Sequence, residues 1–525
     1  MTTSPTSLGE IIRSQAQLGD KVAFSDPERD ETFVQFEYRV NKLVDSLHRL
    51  GLRRGERIAL LSRNCVNAVE CLATAKAGFI PVPMNWRLSA AELVNLIDDC
   101  EPGAIVCDDA WAQIADDQIL PHTKVSVKIA FGKPRQGWEH FETVVEGGDS
   151  RAMHPEALGH EIAFLIYTSG TTGAPKAAMI SHEGVIANGR TSSEEAIGVS
   201  EADTALCVMP LFHVGGLCYY LLPSYMAGAT VILRPAFEVN DMVNALERSQ
   251  VTNVHLVPTM ISDLVAHPDA SRSAASLKRI VYAGSAMPVA LLERAMATFP
   301  ECDFSQSYGS TEGGIISTLG PDEHRKAAES SQMAHLLHSC GRPLSRTSVR
   351  IIDEENEDCF VGQAGEVLVQ SSRTMLGYWG LPDKTAAVFT DAYLQTGDVG
   401  YLDSDGYMYL VDRKNDMIVT GGENVYPSEV EDVLYRCPDV AEAVVFGIPD
   451  SRWIEKVVAA VVLKHDSTAS PESVAEFVRM HLTSYKCPKK VYIVDDLPRS
   501  GVGKFSRKDL RKTYGGEGVD TAKAD

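Results

Sequence analysis

An α/β architecture is what this sequence of 525 residues predicts: a large N-terminal α/β domain of several subdomains with a β-rich part, then a small C-terminal α+β domain. Three observations predict it. Short apolar runs alternate with segments of helical periodicity through the first part and middle of the chain. After Gly341 the texture turns to strands and glycine turns. A charged stretch, residues 412–416 (DRKND), then precedes a segment with its own helix and strands.

The elements follow in order. Val40, Leu43, Val44, Leu47 and Leu50 recur at helical spacing, with Gly51 as the stop. Residues 58–61 read as a buried strand, and 68–77 as a helix broken by Gly78 and Pro81. Strand-like runs recur at 162–166, 205–208, 230–233, 254–257 and 280–282, with helical stretches such as 241–248 between them. That alternation predicts largely parallel sheets with crossover helices. Residues 349–352, 365–370 and 407–411 form the β-rich part. Beyond it, Ser428 and Glu431 are spaced as a capping box ahead of an apolar helix face of Val430, Val433 and Leu434. Strands at 441–446 and 457–463 follow. The expected division is residues 1–412, a connection at 413–416, residues 417–514, and a disordered tail at 515–525.

Composition narrows the function. The formal charge of −22 argues against nucleic acid as a partner, since phosphate backbones need a basic face. An anionic substrate would be repelled overall, so local lysines, backbone N–H groups and a metal must hold a polyphosphate. Eleven cysteines form no C-x-x-C pair and no zinc spacing, which suits reduced thiols. The N-terminus has neither a basic nor an apolar leader region, and no run of eighteen apolar residues occurs. A cytoplasmic protein is expected, with peripheral membrane association left open. A homodimer is also left open.

Residues 167–179 read YTSGTTGAPKAAM, directly after the apolar run 162–166. Gly170 and Gly173 let the backbone approach a ligand closely. Successive N–H groups in such a turn make an anion nest. Thr168, Ser169, Thr171 and Thr172 add hydroxyls, and Lys176 adds a charge. This is a phosphate cradle. It departs from the Walker A pattern, because the lysine comes three residues after Gly173 and Ala177 follows it.

The order Tyr-Thr-Ser-Gly-Thr-Thr-Gly-x-Pro-Lys resembles the AMP-binding signature of the adenylate-forming superfamily, which includes acyl-CoA synthetases, peptide-synthetase adenylation domains and luciferase. Other stretches resemble the family's remaining motifs over nearly the whole chain. YGSTEGG (308–314) is similar to its second signature. The resemblance implies Tyr308 stacked on adenine with Gly309 and Ser310 beside it, Thr311 donating to a phosphate, and Glu312 holding Mg²⁺ shared with ATP oxygens. YAGSAMP places Gly284, Ser285 and Ala286 around the base. TGD places Asp398 on the ribose hydroxyls, with Arg413 on ribose or phosphate. The family hinge falls two residues later, at Asn415, where many members carry Asp or Lys.

PRSGVGK resembles the C-terminal catalytic-lysine motif and implies that role for Lys504, on a small mobile domain. Its neighbours Arg507, Lys508, Arg511 and Lys512 read as a solvated basic tail. In PLFHVGGLCYY, His213 matches the gate histidine beside the acyl carboxylate. Val214, Gly215, Gly216, Gly313 and Gly314 then line the acyl pocket, with Tyr219, Tyr220 and Met260 adding apolar surface. TGGENVYP places Gly421 and Gly422 at the pantetheine passage, and Trp453 matches a contact to the CoA nucleotide.

The implied function is an AMP-forming acyl-CoA synthetase using ATP, Mg²⁺, CoA and a small carboxylic acid. The pocket segments hold no Lys or Arg, which disfavours a dicarboxylate. The aspartate that holds an amino-acid substrate in relatives is absent. A fatty, alicyclic or arylalkanoic acid is therefore expected. The first alternative delivers the acyl group to a carrier protein's phosphopantetheine. A luciferase-like oxygenase, a non-catalytic nucleotide-binding protein and an ADP-releasing kinase are the other classes.

Overall fold

The computed structural model describes residues 5–168, 175–413, 416–420, 423–450, 453–499 and 504–515, with all their side chains but those of Asp412, Arg413 and Asn424. Apart from Gly515, the expected tail lies outside the described residues.

The first long helix, Phe33–Arg49, starts where Thr32 and Gln35 make a reciprocal capping box. It buries Phe36, Val40, Leu43, Val44 and Leu47, the face its periodicity predicts, and Gly51 follows at φ +94°. It packs beside a parallel sheet ordered Ile80–Pro83, Arg57–Leu61, Ala104–Asp108, Val127–Phe131, Glu139–His140. The prolines of Ile80–Pro83 are tolerated because that strand is at the edge.

The larger sheet has nine strands. Its six central strands are parallel, in the order Asp303–Ser310, Arg279–Ala283, Asn253–Leu256, Thr204–Cys207, Thr230–Leu233, Val22–Ser25. Antiparallel strands close both edges. The two halves of the phosphate-loop motif form an antiparallel hairpin, Ile162–Thr168 with Lys176–Ser181, to which Gly377–Tyr378 adds a third strand. The β-rich part is antiparallel, built on Ser348–Ile352, Gly365–Gln370, Tyr393–Leu402 and Met408–Arg413.

Apolar clusters divide the chain. Three draw on residues up to Tyr409, and two on residues from Ile418 onward. Among the described residues, the smaller C-terminal domain wraps Ile418–Thr420, Glu423–Val425, Val440–Asp450, Ile454–Leu463 and Lys490–Ile493 with three helices. Its first helix corrects an expectation. Pro427–Arg436 begins two residues earlier than the Ser428 cap would have it, with Pro at the first turn and no side-chain cap. Ser428 instead donates to the Val411 carbonyl. Glu431 accepts from Val445 N at 2.8 Å and from Arg507 at 2.7 Å. Arg507 and Arg511 are therefore no solvated tail: both also face Asp416, at 3.5 and 3.2 Å.

One buried charge cluster has a consequence for stability. Glu31 and Glu70 are almost wholly buried, with Arg29 Nη2 3.0 Å from one and 2.9 Å from the other. Arg39 pairs with Glu70 and Glu142. Burial, then repulsion from Glu70, pushes the Glu31 carboxyl up to about 8 against the pull of both arginines. A raised carboxyl stabilises fully below its unfolded value near 4.5 and loses that contribution as pH rises through the folded one. Glu31→Gln should therefore raise stability at neutral pH, on the order of 1–3 kcal/mol, and change little near pH 4. Urea melts at the two pH values check this; equal effects at both would refute the raised Glu31 carboxyl.

Candidate active site

The parallel strands of the large sheet end on one side, where open α/β sheets bind ligands. His213 follows Thr204–Cys207, and Gly284, Ser285 and Ala286 follow Arg279–Ala283. Tyr308, Gly309 and Ser310 finish Asp303–Ser310.

The phosphate-loop hairpin brings Thr168 opposite Lys176. Ser169, Gly170, Thr171, Thr172 and Gly173 lie outside the described residues. The Lys176 ammonium stands 4.2 Å from the centroid of the Tyr378 ring. The Tyr378 hydroxyl donates to Glu312 Oε1 at 3.0 Å, and burial and Glu312 push that phenol up, keeping its proton. Met375 N donates to the Glu312 carbonyl at 2.8 Å. One ring thus joins the loop lysine to the motif carboxylate. Sequence reasoning missed Tyr378, since only the pairing of Tyr378 with Ala178 brings it there.

Tyr308 donates to Asp398 Oδ2 at 2.6 Å, and Asp398 N donates to Thr396 Oγ1 at 3.1 Å. The aromatic ring of the second motif and the carboxylate of the TGD motif are therefore joined. Arg413 pairs with Asp398 through the backbone ladder; its side chain lies outside the described residues.

Lys504 arrives from the small domain. A Cβ on Gly284 would lie 3.3 Å from Lys504 Cε and 3.8 Å from its Nζ, so the lysine runs across the bare glycine, which sits at φ +92°. Gly501 and Gly503 of its motif lie outside the described residues. Arg499 and Phe505, on either side of the motif, form an antiparallel bridge. The Arg499 guanidinium sits 4.7 Å from the Phe505 ring centroid and reaches Glu442 at 2.6 Å. Asp432 of the small domain lies 3.5 Å from His338 of the large one.

His213 caps the short helix Val214–Gly216, its Nδ1 accepting from Gly215 N at 3.1 Å. Burial, then the Lys504 charge, then His255 push its ring down to about 3, so it is neutral at physiological pH. With Nδ1 accepting, the remaining proton is assigned to Nε2, which is free to act as a donor.

Val214, Cys218, Tyr219, Thr311 and Gly314 line a small cavity together with Arg373. Gly314, at φ +72°, is required there: a Cβ would meet Arg373 Cβ at 2.5 Å. Arg373, from outside the segments expected to line the acyl pocket, is the cation on this cavity's wall. Its guanidinium donates to the Ile315 and Ser345 carbonyls and the Thr191 and Thr347 hydroxyls, so backbone and hydroxyl oxygens disperse its charge. Gly215, Gly216 and Gly313 lie on the adjoining segments; a Cβ on Gly216 would meet the Pro210 carbonyl at 2.4 Å. Two expected pocket residues turn elsewhere. Tyr220 donates to Asn253 O, and Met260 packs in the cluster on the other face of the sheet. Trp453 is partly exposed on the small domain, and Gly421, Gly422 and Asn415 lie outside the described residues.

Comparison with known proteins agrees with this geometry. The AMP-binding enzyme family matches residues 12–379, and its C-terminal domain matches residues 429–504. Indoleacetate–CoA ligase of Aromatoleum aromaticum is 34% identical over 94% of this chain and 95% of its own. Fatty acid–[acyl-carrier-protein] ligase ScoC of Streptomyces coeruleorubidus is 33% identical over 93% and 92%. The crystal structure of ATP-bound MatB from Rhodopseudomonas palustris superposes with a TM-score of 0.88 at 26% identity, covering 98% of this chain and 99% of that one. The chain belongs to the AMP-binding enzymes, the adenylate-forming superfamily. It is an enzyme of the AMP-forming acid–CoA ligase class, whose co-substrates are ATP and CoA.

Proposed function

We propose that this protein activates a hydrophobic carboxylic acid, fatty, alicyclic or arylalkanoic, as its acyl-adenylate and passes the acyl group to CoA. The observation that carries the reading is Lys504 laid across Gly284, with its charge felt at a neutral His213.

In the first step a carboxylate oxygen attacks the α-phosphorus of ATP and the bond to the bridging oxygen of pyrophosphate breaks. Two anions meet, so the chain's work is positioning and charge stabilisation. Lys504 bridges the carboxylate and the α-phosphate, and His213 Nε2–H orients the carboxylate. Thr311, Lys176 and the loop hydroxyls steady the departing pyrophosphate. Tyr308, Gly284, Ser285 and Ala286 hold the adenine, and Asp398 with Arg413 the ribose. Among the described residues no group of three or more His, Cys, Asp or Glu could cage a metal. The single carboxylate of Glu312 fits a magnesium ion shared with ATP oxygens, which would offset phosphate charge when bound.

In the second step the CoA sulfur attacks the adenylate carbonyl, the C–O bond to AMP breaks, and the thiol proton passes to solvent. We place a hinge at Asn415, between a domain of residues 1–412 and one of 417–514. Its turning would remove Lys504 and present Gly421 and Gly422 to the thiol arm, with Trp453 near the nucleotide. The eleven free cysteines support a reducing, cytoplasmic setting. A carrier-protein acceptor is the second reading, favoured by the likeness to ScoC.

The test is a product assay with MgATP, CoA and a panel of straight-chain, alicyclic and aryl acids. AMP together with one acid's thioester is the expected result. AMP or pyrophosphate without thioester would move the acceptor to a carrier protein, and ADP would overturn the chemistry.

A further inference from the structure

The side chains of the small domain's first helix, Pro427–Arg436, divide by direction. Val430, Val433 and Leu434 are buried in that domain's own core. Glu429 accepts from Lys486 at 2.6 Å and Glu431 from Arg507 at 2.7 Å, both partners within the same domain. Ser428 and Asp432 point a third way. They stand four residues apart, one turn from each other on a single face, and both reach the large domain. Ser428 donates to the Val411 carbonyl, and Asp432 Oδ2 lies 3.5 Å from His338 Nδ1.

The receiving surface is one connected piece. Next to His338, the Ser339 hydroxyl and the Cys340 N–H both donate to the Met408 carbonyl, at 2.9 and 2.8 Å. Met408 begins the strand Met408–Arg413, which also carries Val411. His338 and the Val411 carbonyl are therefore fixed to the same strand. The helix packs as well on Val289–Thr298 of the large domain. In this same arrangement Lys504 lies across Gly284. A second crossing of the boundary stands beside the lysine motif: loss of water raises the Asp263 carboxyl, and the charge of Arg499 opposes that rise. Arg499 also aims the lysine segment, whereas His338 and Asp432 belong to none of the active-site motifs. Their contact therefore isolates docking from chemistry.

We propose that the contact between His338 and Asp432 is a latch for the adenylate-forming pose: both are positioning residues that touch no reactant, and they must part before CoA attacks. This rests on the ligase reading and on the hinge placed at Asn415. The pair spans the two domains, so a turn of the small one separates it. The two side chains are 41% and 37% exposed, and a polar pair so open to water shifts an equilibrium by about fivefold at most. Such weakness suits a contact that is made and broken at every turnover. A shift of that size still changes how often Lys504 stands over Gly284, because the rate of the first step scales with the population of the pose that carries it.

The experiment times the two half-reactions separately in the full-length protein: pyrophosphate release from MgATP and acid without CoA, then thioester formation from supplied acyl-AMP and CoA. His338→Ala and Asp432→Asn are each expected to slow the first about two- to fivefold and to leave the second unchanged or faster. His338→Asp sets two carboxylates face to face and should slow the first step further. Adding Asp432→His to it exchanges the partners and should bring the first step back to within about twofold of the unmodified protein. That rescue is what a merely structural role would not give. Equal slowing of both half-reactions, no change in either, or an exchange that restores nothing overturns the latch and leaves the ligase reading standing. Release of neither AMP nor pyrophosphate by the unmodified protein with any acid would overturn both.

Discussion

Lys504→Ala is expected to slow acyl-adenylate formation by about 10²- to 10³-fold, while transfer to CoA from supplied acyl-AMP stays within a few fold of normal. The asymmetry follows from where the charge is needed. Carboxylate and α-phosphate repel one another in the first step, and a cation about 4 Å from a unit negative charge gains on the order of 4 kcal/mol at an effective dielectric near 20, before desolvation. The second step begins from an adenylate in which that repulsion is already gone. The lysine enters from the small domain and lies over Gly284, which presents no side chain of its own. Its segment is aimed by the Arg499–Phe505 bridge and the Arg499–Glu442 pair. Arg499→Ala should therefore show the same split in smaller measure, and add little to Lys504→Ala in the double variant. Separate assays of the two half-reactions decide the matter. An equal loss in both would remove Lys504 from the role assigned to it.

Much of this site was legible in the sequence because its chemistry is written in short contiguous strings. A loop that must expose N–H groups to phosphate needs Gly and Thr at fixed places, and YTSGTTGAPK has them. The strands were legible for a similar reason: central parallel strands are buried on both faces, and Thr230–Leu233 accordingly ends in the apolar run Val231, Ile232, Leu233, all buried. What escaped depends on contacts between distant segments. Tyr378 reaches Glu312 only because its strand adds to the loop hairpin. Arg373 enters the cavity from a segment that no local pattern ties to the pocket. Ser428 and Glu431 have the spacing of a cap, but Val411 and Arg507 offer them tertiary partners and Pro427 takes the first helical turn. A local pattern holds until a long-range partner outcompetes it.

Glu312→Gln is the second substitution expected to have a large effect, a loss of about 10²-fold in adenylate formation with a raised requirement for Mg²⁺. The replacement isolates charge from shape. The amide oxygen of Gln still accepts from the Tyr378 hydroxyl, which donates to Glu312 at 3.0 Å, and the Met375 N–H still meets the backbone carbonyl. The loop that carries residue 312 should therefore keep its place, and the negative charge alone is removed. Tyr378→Phe makes the complementary change: it keeps the ring under Lys176 but deletes the hydroxyl. Its cost should be smaller, about three- to tenfold, because a carboxylate without that donor is misaligned and still charged. If Glu312 serves only to brace Tyr378, the order reverses and the Phe variant becomes the more damaged of the two. Titration of Mg²⁺ at fixed ATP separates the cases, since a bracing role leaves the Mg²⁺ midpoint of Glu312→Gln where it was, and a metal-holding role moves it upward.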